Sequence, residues 1–212
     1  MKSLNFTLIA DGRSDKTLIH IIKWSLDNLF PTLANNGVFA DFGPLKNPPA
    51  KGDIANQIAE AKKYYPFDLI IYHRDAEIIS NTIINQRKEE VLKFAGIVDN
   101  LICIVPIVMM EAWLLFDELS IKKAAENRNY KGKIQLPSSK VIENEREPKK
   151  LLQDLLKTVS CKTKRNLKTF NINKAIQLVA ENITDFSPLR NLTAFNVFEN
   201  DLKNAVNIFL NK

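Results

Sequence analysis

Short apolar runs alternating with segments of helical period constrain this chain more than any other feature of it. Leu4–Ala10 alternates weakly and ends in Asp11-Gly12, a strand running into a turn. Asp68–His73 is rich in β-formers, and Arg74-Asp75-Ala76-Glu77 follows it directly. Asn100–Val108 is the most strand-like stretch of all. Leu18, Ile22, Leu26 and Leu29 form an apolar stripe at helical spacing, behind Ser14 or Asp15, either of which can cap a helix. Asp53 opens a second helix through about Tyr65, and Gln86–Ala95 reads as a charged amphipathic helix. The Asn-Asn-Gly, Gly-Pro and Pro-Pro sequences make Asn35–Gly52 largely loop, with a short strand at Gly37–Phe42. This alternation predicts an α/β fold with a parallel, doubly wound sheet over residues 1–118.

After Asp117 the strand signals stop. Pro148 sits at a helix start before Leu151, Leu152, Leu155 and Leu156. Ile172, Ile176, Val179 and Ile183 make one stripe, and Phe198, Leu202, Ala205, Val206 and Phe209 another. Residues 119–212 are therefore expected to be a helical half packed on the sheet, since no flexible linker separates the two regions. Together they form one continuous globule of 212 residues.

The charge is uneven. The net charge is +6, but Leu119–Phe170 carries fourteen Lys and Arg against five Asp and Glu, which leaves the rest slightly acidic. Such a basic segment suits an anionic partner such as nucleic acid, and equally describes a solvated lysine-rich surface. No apolar run reaches the ~18 residues of a membrane span. The first residues lack the apolar core and cleavage site of a leader. The two cysteines, Cys103 and Cys161, are too few for a disulfide scaffold or a zinc finger. The expected compartment is the cytosol.

Acidic residues fall where a parallel sheet gathers its chemistry, beyond the carboxyl ends of strands. Asp11 follows the first strand; Asp75 and Glu77 follow the Asp68–His73 strand. If the backbone stays extended, His73, Asp75 and Glu77 share a side. Carboxylates brought close repel one another, and a hard divalent cation, Mg²⁺ or Mn²⁺, resolves the repulsion. Each of these residues also has a plainer reading: Asp11 as a turn residue, Asp75 and Glu77 as a solvated loop, His73 as a packed histidine. Glu111, between Met109-Met110 and Ala112-Trp113-Leu114-Leu115, is either an acid favoured by a helix dipole or a further carboxylate facing the same site. No phosphate-binding glycine loop, dinucleotide fingerprint, zincin motif or serine-hydrolase elbow is present. Cys103 lies in an apolar strand and reads as core.

Asp11-Gly12-x-Ser14-Asp15 and His73-Arg74-Asp75-Ala76-Glu77 resemble the acidic motifs of Toprim domains. The chain is also similar to a bacterial Toprim-like family, domain of unknown function 4276. That likeness rests on Met110-Glu111-Ala112-Trp113-Leu114-Leu115-Phe116-Asp117, Glu147-Pro148-Lys149 and Phe186-Ser187-Pro188-Leu189-Arg190. It covers nearly the whole chain. It implies a Toprim-like (Rossmann-like) core in which an acid after the first strand and a later acidic pair bind Mg²⁺ and carry phosphodiester chemistry. Two positions depart from the general Toprim pattern: Asp11 stands where Glu is usual, and Glu77 where Asp is usual. Related Toprim-like nucleases often act with an ATPase partner protein in bacterial defence against phage.

The leading expectation is a Mg²⁺-dependent nuclease acting on DNA or RNA, DNA before RNA. Asp11, Asp75 and Glu77 hold the metal, and Glu111 is a further ligand or orients one. Lys149 and Arg74 are the candidates for offsetting charge on the scissile phosphate, although each is equally readable as an exposed cation. The basic segment, notably Lys150, Lys162, Lys164, Arg165 and Lys168, would track the phosphate backbone. Only Tyr130 and Phe170 supply aromatics there, so base stacking is not indicated. Two alternatives stand beside it: a nucleic-acid or partner-binding module with a degenerate site, and a hydrolase or binder of a small phosphorylated nucleotide.

Overall fold

The computed structural model describes residues 2–95 and 100–212. Its strands are β1 (Ser3–Ile9), β2 (Ala34–Phe39), β3 (Leu69–His73) and β4 (Leu101–Ile104). They form one four-stranded, all-parallel sheet in the order β2-β1-β3-β4. All five residues of β3 are buried, as expected of a strand covered on both faces. The helices are α1 (Leu18–Leu29), α2 (Ile54–Tyr64), α3 (Thr82–Ala95), α4 (Glu118–Ala124), α5 (Pro148–Ser160), α6 (Lys164–Leu167), α7 (Ile172–Asn182) and α8 (Thr193–Asn211).

The connection β1–α1–β2 moves one way along the sheet, and the later connections move the other way. Right-handed crossovers then put α1 on one face and α2 and α3 on the opposite one. The packing agrees: α2 touches α3, whereas α1 touches α7 and α8. The predicted stripe of α1 buries Leu18, Ile22 and Leu26, with Leu29 half-buried. The helical half is not tethered at a distance. Helix α8 lies against β4, α7 against the 3-10 turn Arg13–Thr17, and α5 against a second 3-10 turn, Met110–Leu114. Trp113 anchors this junction, fully buried and edge-on to Phe195 of α8 at 5.5 Å. Cys103 is in the core, and burial pushes its thiol up to about 12. Among the described residues, no helix is long and apolar enough to cross a membrane.

Three boundaries differ from the sequence expectation. Strand β2 starts three residues earlier than Gly37–Phe42, because it is an edge strand held by the β1 backbone and only half-buried, so it shows little apolar alternation. Strand β4 ends at Ile104 rather than Val108, because Pro106 has no N–H to give to a ladder. The carbonyls of Ile104, Pro106 and Val108 nonetheless accept from the amides of Arg74, Ala76 and Glu77. Helix α3 begins at Thr82 instead of Gln86.

One buried charge lies outside the acidic cluster. Glu143 is 8% exposed, and among the described residues its Oε1 accepts no hydrogen bond. Burial raises the Glu143 pKa, against the pull of the Trp113 indole and the first amides of α8. An acid whose pKa is raised on folding loses stability as pH climbs past its ordinary value of 4.5. Glu143→Gln is therefore expected to melt above the parent at pH 7, with the gap closing as pH falls below 4.5. Melting both proteins across that range reads the sign directly.

Candidate functional site

The strand order reverses between β1 and β3, and the crevice beyond their carboxyl ends is where open α/β sheets place ligands. A pocket of about 200 Å³ lies there, lined by Asp11, Asp15, Gly52, His73, Arg74, Asp75 and Glu77. Residues more than sixty positions apart thus meet because β1 and β3 are hydrogen-bonded neighbours.

Asp11 is exposed at the end of β1 but not loose. Its Oδ1 accepts the Gly52 amide and Nε2 of Gln57, each at 2.9 Å. Gly52 has φ +75°, a backbone region that L side chains rarely adopt, and this aims its N–H at the carboxylate. Gln57 projects from α2, is 2% exposed, and accepts the Tyr72 hydroxyl of β3. Burial, followed by the charge of Asp11, pushes the Tyr72 phenol well above its ordinary pKa. It stays a neutral donor.

His73 ends β3 and is 3% exposed. Its Nε2 lies 3.1 Å from Asp75 Oδ1 and its Nδ1 3.3 Å from Asp15 Oδ2. Burial opposes the charged ring, but the hydrogen bonds to Asp15 and Asp75 outweigh it and lift the His73 pKa to about 10. His73 is thus an imidazolium bridging two carboxylates. Burial works against the Asp15 carboxylate too, yet His73, the Ser14 hydroxyl and the Gly12 amide hold its pKa below the usual range. Asp75 Oδ1 also accepts the Met110 amide at 2.9 Å. His73 and Asp75 share a side, as an extended backbone requires. Glu77 breaks the alternation: its φ is +66°, and its side chain is 72% exposed, 3.5 Å from Arg87. Arg74 lines the pocket while pairing with Glu90 of α3 at 3.4 Å.

Glu111 sits next to this pocket rather than in it. It is buried in the Met110–Leu114 turn, with Oε1 3.3 Å from Nζ of Lys149. Burial raises its pKa, Lys149 pulls it back, and the charge of Asp75 pushes it further up. Lys149 lies in the first turn of α5, half-exposed. Lys150 pairs with Glu147. The remaining predicted contacts are remote. Lys162 pairs with Glu126 at 2.8 Å and lies over the Phe170 ring. Lys164, Arg165 and Lys168 are exposed on and after α6, beyond the far end of thirteen-residue α5. At 1.5 Å per residue the helix runs ~16 Å from Lys149 to its end at Ser160. The structure does not bring them to the pocket.

Asp15, Gln57 and Gly52 are the site residues that sequence reasoning missed. Asp15 reads as a cap, and its one signal is its place in the Asp11-Gly12-x-Ser14-Asp15 motif. Nothing in the sequence linked Gln57 or Gly52 to Asp11.

Among the described residues, no three His, Cys, Asp or Glu side chains are already drawn around one point fit for an ion. The donor chemistry still suits Mg²⁺. Among the described residues, Oδ2 of Asp11 and Oδ2 of Asp75 accept no hydrogen bond, and both carboxylates line one pocket. Mg²⁺ keeps several waters and is commonly held by one or two carboxylates plus substrate phosphate, so an all-protein cage is not needed. Compared with protein-family models, with curated proteins and with solved structures, the chain matches none.

Proposed function

We propose that the protein is a Mg²⁺-dependent phosphodiester hydrolase of Toprim type acting on nucleic acid. The observation that supports this reading is the meeting of Asp11 and Asp75 in one pocket at the reversal of strand order, each with a carboxylate oxygen to spare. In this reading Asp11 and Asp75 hold the ion and Glu77 reaches it from the exposed loop. Bound there, Mg²⁺ supplies an acidified water and neutralises charge on a phosphate. The other roles belong to the chain's own side chains. His73 fixes the Asp75 carboxylate so that one oxygen faces the pocket. Lys149, oriented by Glu111, and Arg74 offset negative charge that builds on the phosphate oxygens.

A second reading has its own supporting observation. The His73 imidazolium already balances Asp15 and Asp75 without a metal, which a non-catalytic binding module would also require. Melting with and without Mg²⁺ or Mn²⁺ separates the two. An ion that binds only the folded chain adds about 2.7 kcal/mol at a hundred times its Kd. For a chain of this size that is a rise of roughly 5–10 °C. An unmoved midpoint in millimolar Mg²⁺ and Mn²⁺, with no cleavage of single- or double-stranded DNA or RNA, favours the module and ends the nuclease reading.

A further inference from the structure

A second pocket, of about 310 Å³, opens on the other side of Asp11, which lines both. Its walls come from the end of β2 and the irregular segment after it: Phe39, Phe42, Pro48 and Pro49, with Arg13 and Lys51 beside them. This size is at the lower end for small-molecule sites.

The apolar walls are fixed. Phe42 is half-buried and stands edge-on to Tyr65, with ring centres 6.4 Å apart. The Tyr65 hydroxyl in turn donates to the Asp41 carbonyl at 2.8 Å. The cationic rim is placed as well. The Arg13 guanidinium lies over Gly43, where a Cβ would come within 2.0 Å of Nη2, and it pairs with Asp41 at 3.3 Å. That pairing uses one of its five donors and leaves the rest to the pocket mouth. Lys51 is exposed and, among the described residues, has no ion-pair partner. It directly precedes Gly52, whose amide holds Asp11.

Resting on the reading of Asp11 and Asp75 as the phosphate site, we infer that this pocket takes the base of the adjoining nucleotide. The base lies against Phe42 and the two prolines, and Arg13 and Lys51 meet the next phosphate. A base can enter such a pocket only if it is unstacked and unpaired. The substrate class is therefore a single-stranded polynucleotide. Arg13 and Lys51 line the same pocket as Phe42, so a strand whose base enters it brings a phosphate to these two cations. Phe42 supplies an aromatic ring beside Asp11.

Fluorescence anisotropy in Ca²⁺ tests this with labelled oligo(dT), oligo(rU) and a DNA duplex of the same length. Single strands should bind at least about tenfold tighter than duplex, and the ratio of dT to rU reports which sugar is preferred. Base–aromatic stacking is worth about 1–3 kcal/mol, so Phe42→Leu should weaken single-strand binding about 5- to 150-fold. Phe42→Trp keeps a ring face and should retain the affinity; it also controls for loss of packing. Arg13→Gln with Lys51→Gln should flatten the salt dependence, by roughly 0.7 in the log–log slope for each phosphate that is no longer neutralised. Duplex binding as tight as single-strand binding, or a Phe42→Leu protein indistinguishable from the parent, overturns the inference. A Mg²⁺ melting shift and cleavage that persist beside an indifferent Phe42→Leu would leave the nuclease reading intact and remove the base pocket. Phe42-dependent single-strand binding without any metal effect would do the reverse.

Discussion

Replacing His73 with alanine is expected to cost about 3 kcal/mol, near the lower end of what breaking a buried ion pair costs. For a chain of this length that lowers the melting midpoint by roughly 6–12 °C. The cause is not lost packing alone. Asp15 and Asp75 face the same ring from its two nitrogens, and Asp15 is only 14% exposed. Without the imidazolium, Asp15 keeps a charge that little solvent can screen. Asp75, at 29% exposed, keeps part of its hydration, which is why the lower figure applies. A double variant, Asp15→Asn with His73→Gln, removes both members of that pair and should melt well above His73→Ala. Should His73→Ala melt within a degree or two of the parent, the histidine is not bridging the carboxylates in solution.

On the nuclease reading, Asp75→Asn should remove the proposed Mg²⁺-dependent cleavage while the chain still folds. Asparagine keeps an oxygen for the Met110 amide and the His73 ring but withdraws one of the two charges facing the buried imidazolium, so the metal-free midpoint should fall by several degrees, less than in His73→Ala. What is lost is the charge at the pocket. Metal-assisted stabilisation of a phosphoryl transition state is worth several kcal/mol, so the rate of Mg²⁺-dependent cleavage should fall by about three orders of magnitude. The Mg²⁺ melting shift should disappear with it. Glu77→Gln is the contrast, with about a tenfold loss, because that side chain is 72% exposed and one of several ways to complete the shell around an ion that retains its waters. An Asp75→Asn protein that still cleaves at a comparable rate and still gains stability from Mg²⁺ would remove Asp75 from the mechanism.

These two substitutions differ because the same pocket does two physical jobs. His73 and Asp15 hold charge together inside the protein, whereas Asp11 and Asp75 each leave an oxygen for a ligand. The sequence points to a divalent cation as what reconciles the carboxylates. The structure adds a second source of positive charge, the His73 ring between Asp15 and Asp75. Glu111, for which the sequence leaves a helix acid and a further site carboxylate both open, is buried with Oε1 against Lys149. Of the basic run, Lys162 is engaged by Glu126, and Lys164, Arg165 and Lys168 do not line the pocket.

The alternation of apolar runs with helical stripes was enough, by itself, to determine a parallel α/β sheet with helices on it, because burial on both faces leaves a continuous apolar signature in β3 and β4. The placement of Asp11 and Asp75 beyond strand ends was equally legible, since strand direction follows from chain order in a parallel sheet. Only tertiary structure decided which strands are neighbours, and hence which acids meet. It also decided that Gln57 and Gly52 hold Asp11, that Asp15 joins His73, and that Phe42 and Arg13 stand beside them. Those partners are joined across loops of unconstrained length, and their meeting depends on how the helices seat on the sheet, a property carried by packing between distant residues and by no local pattern.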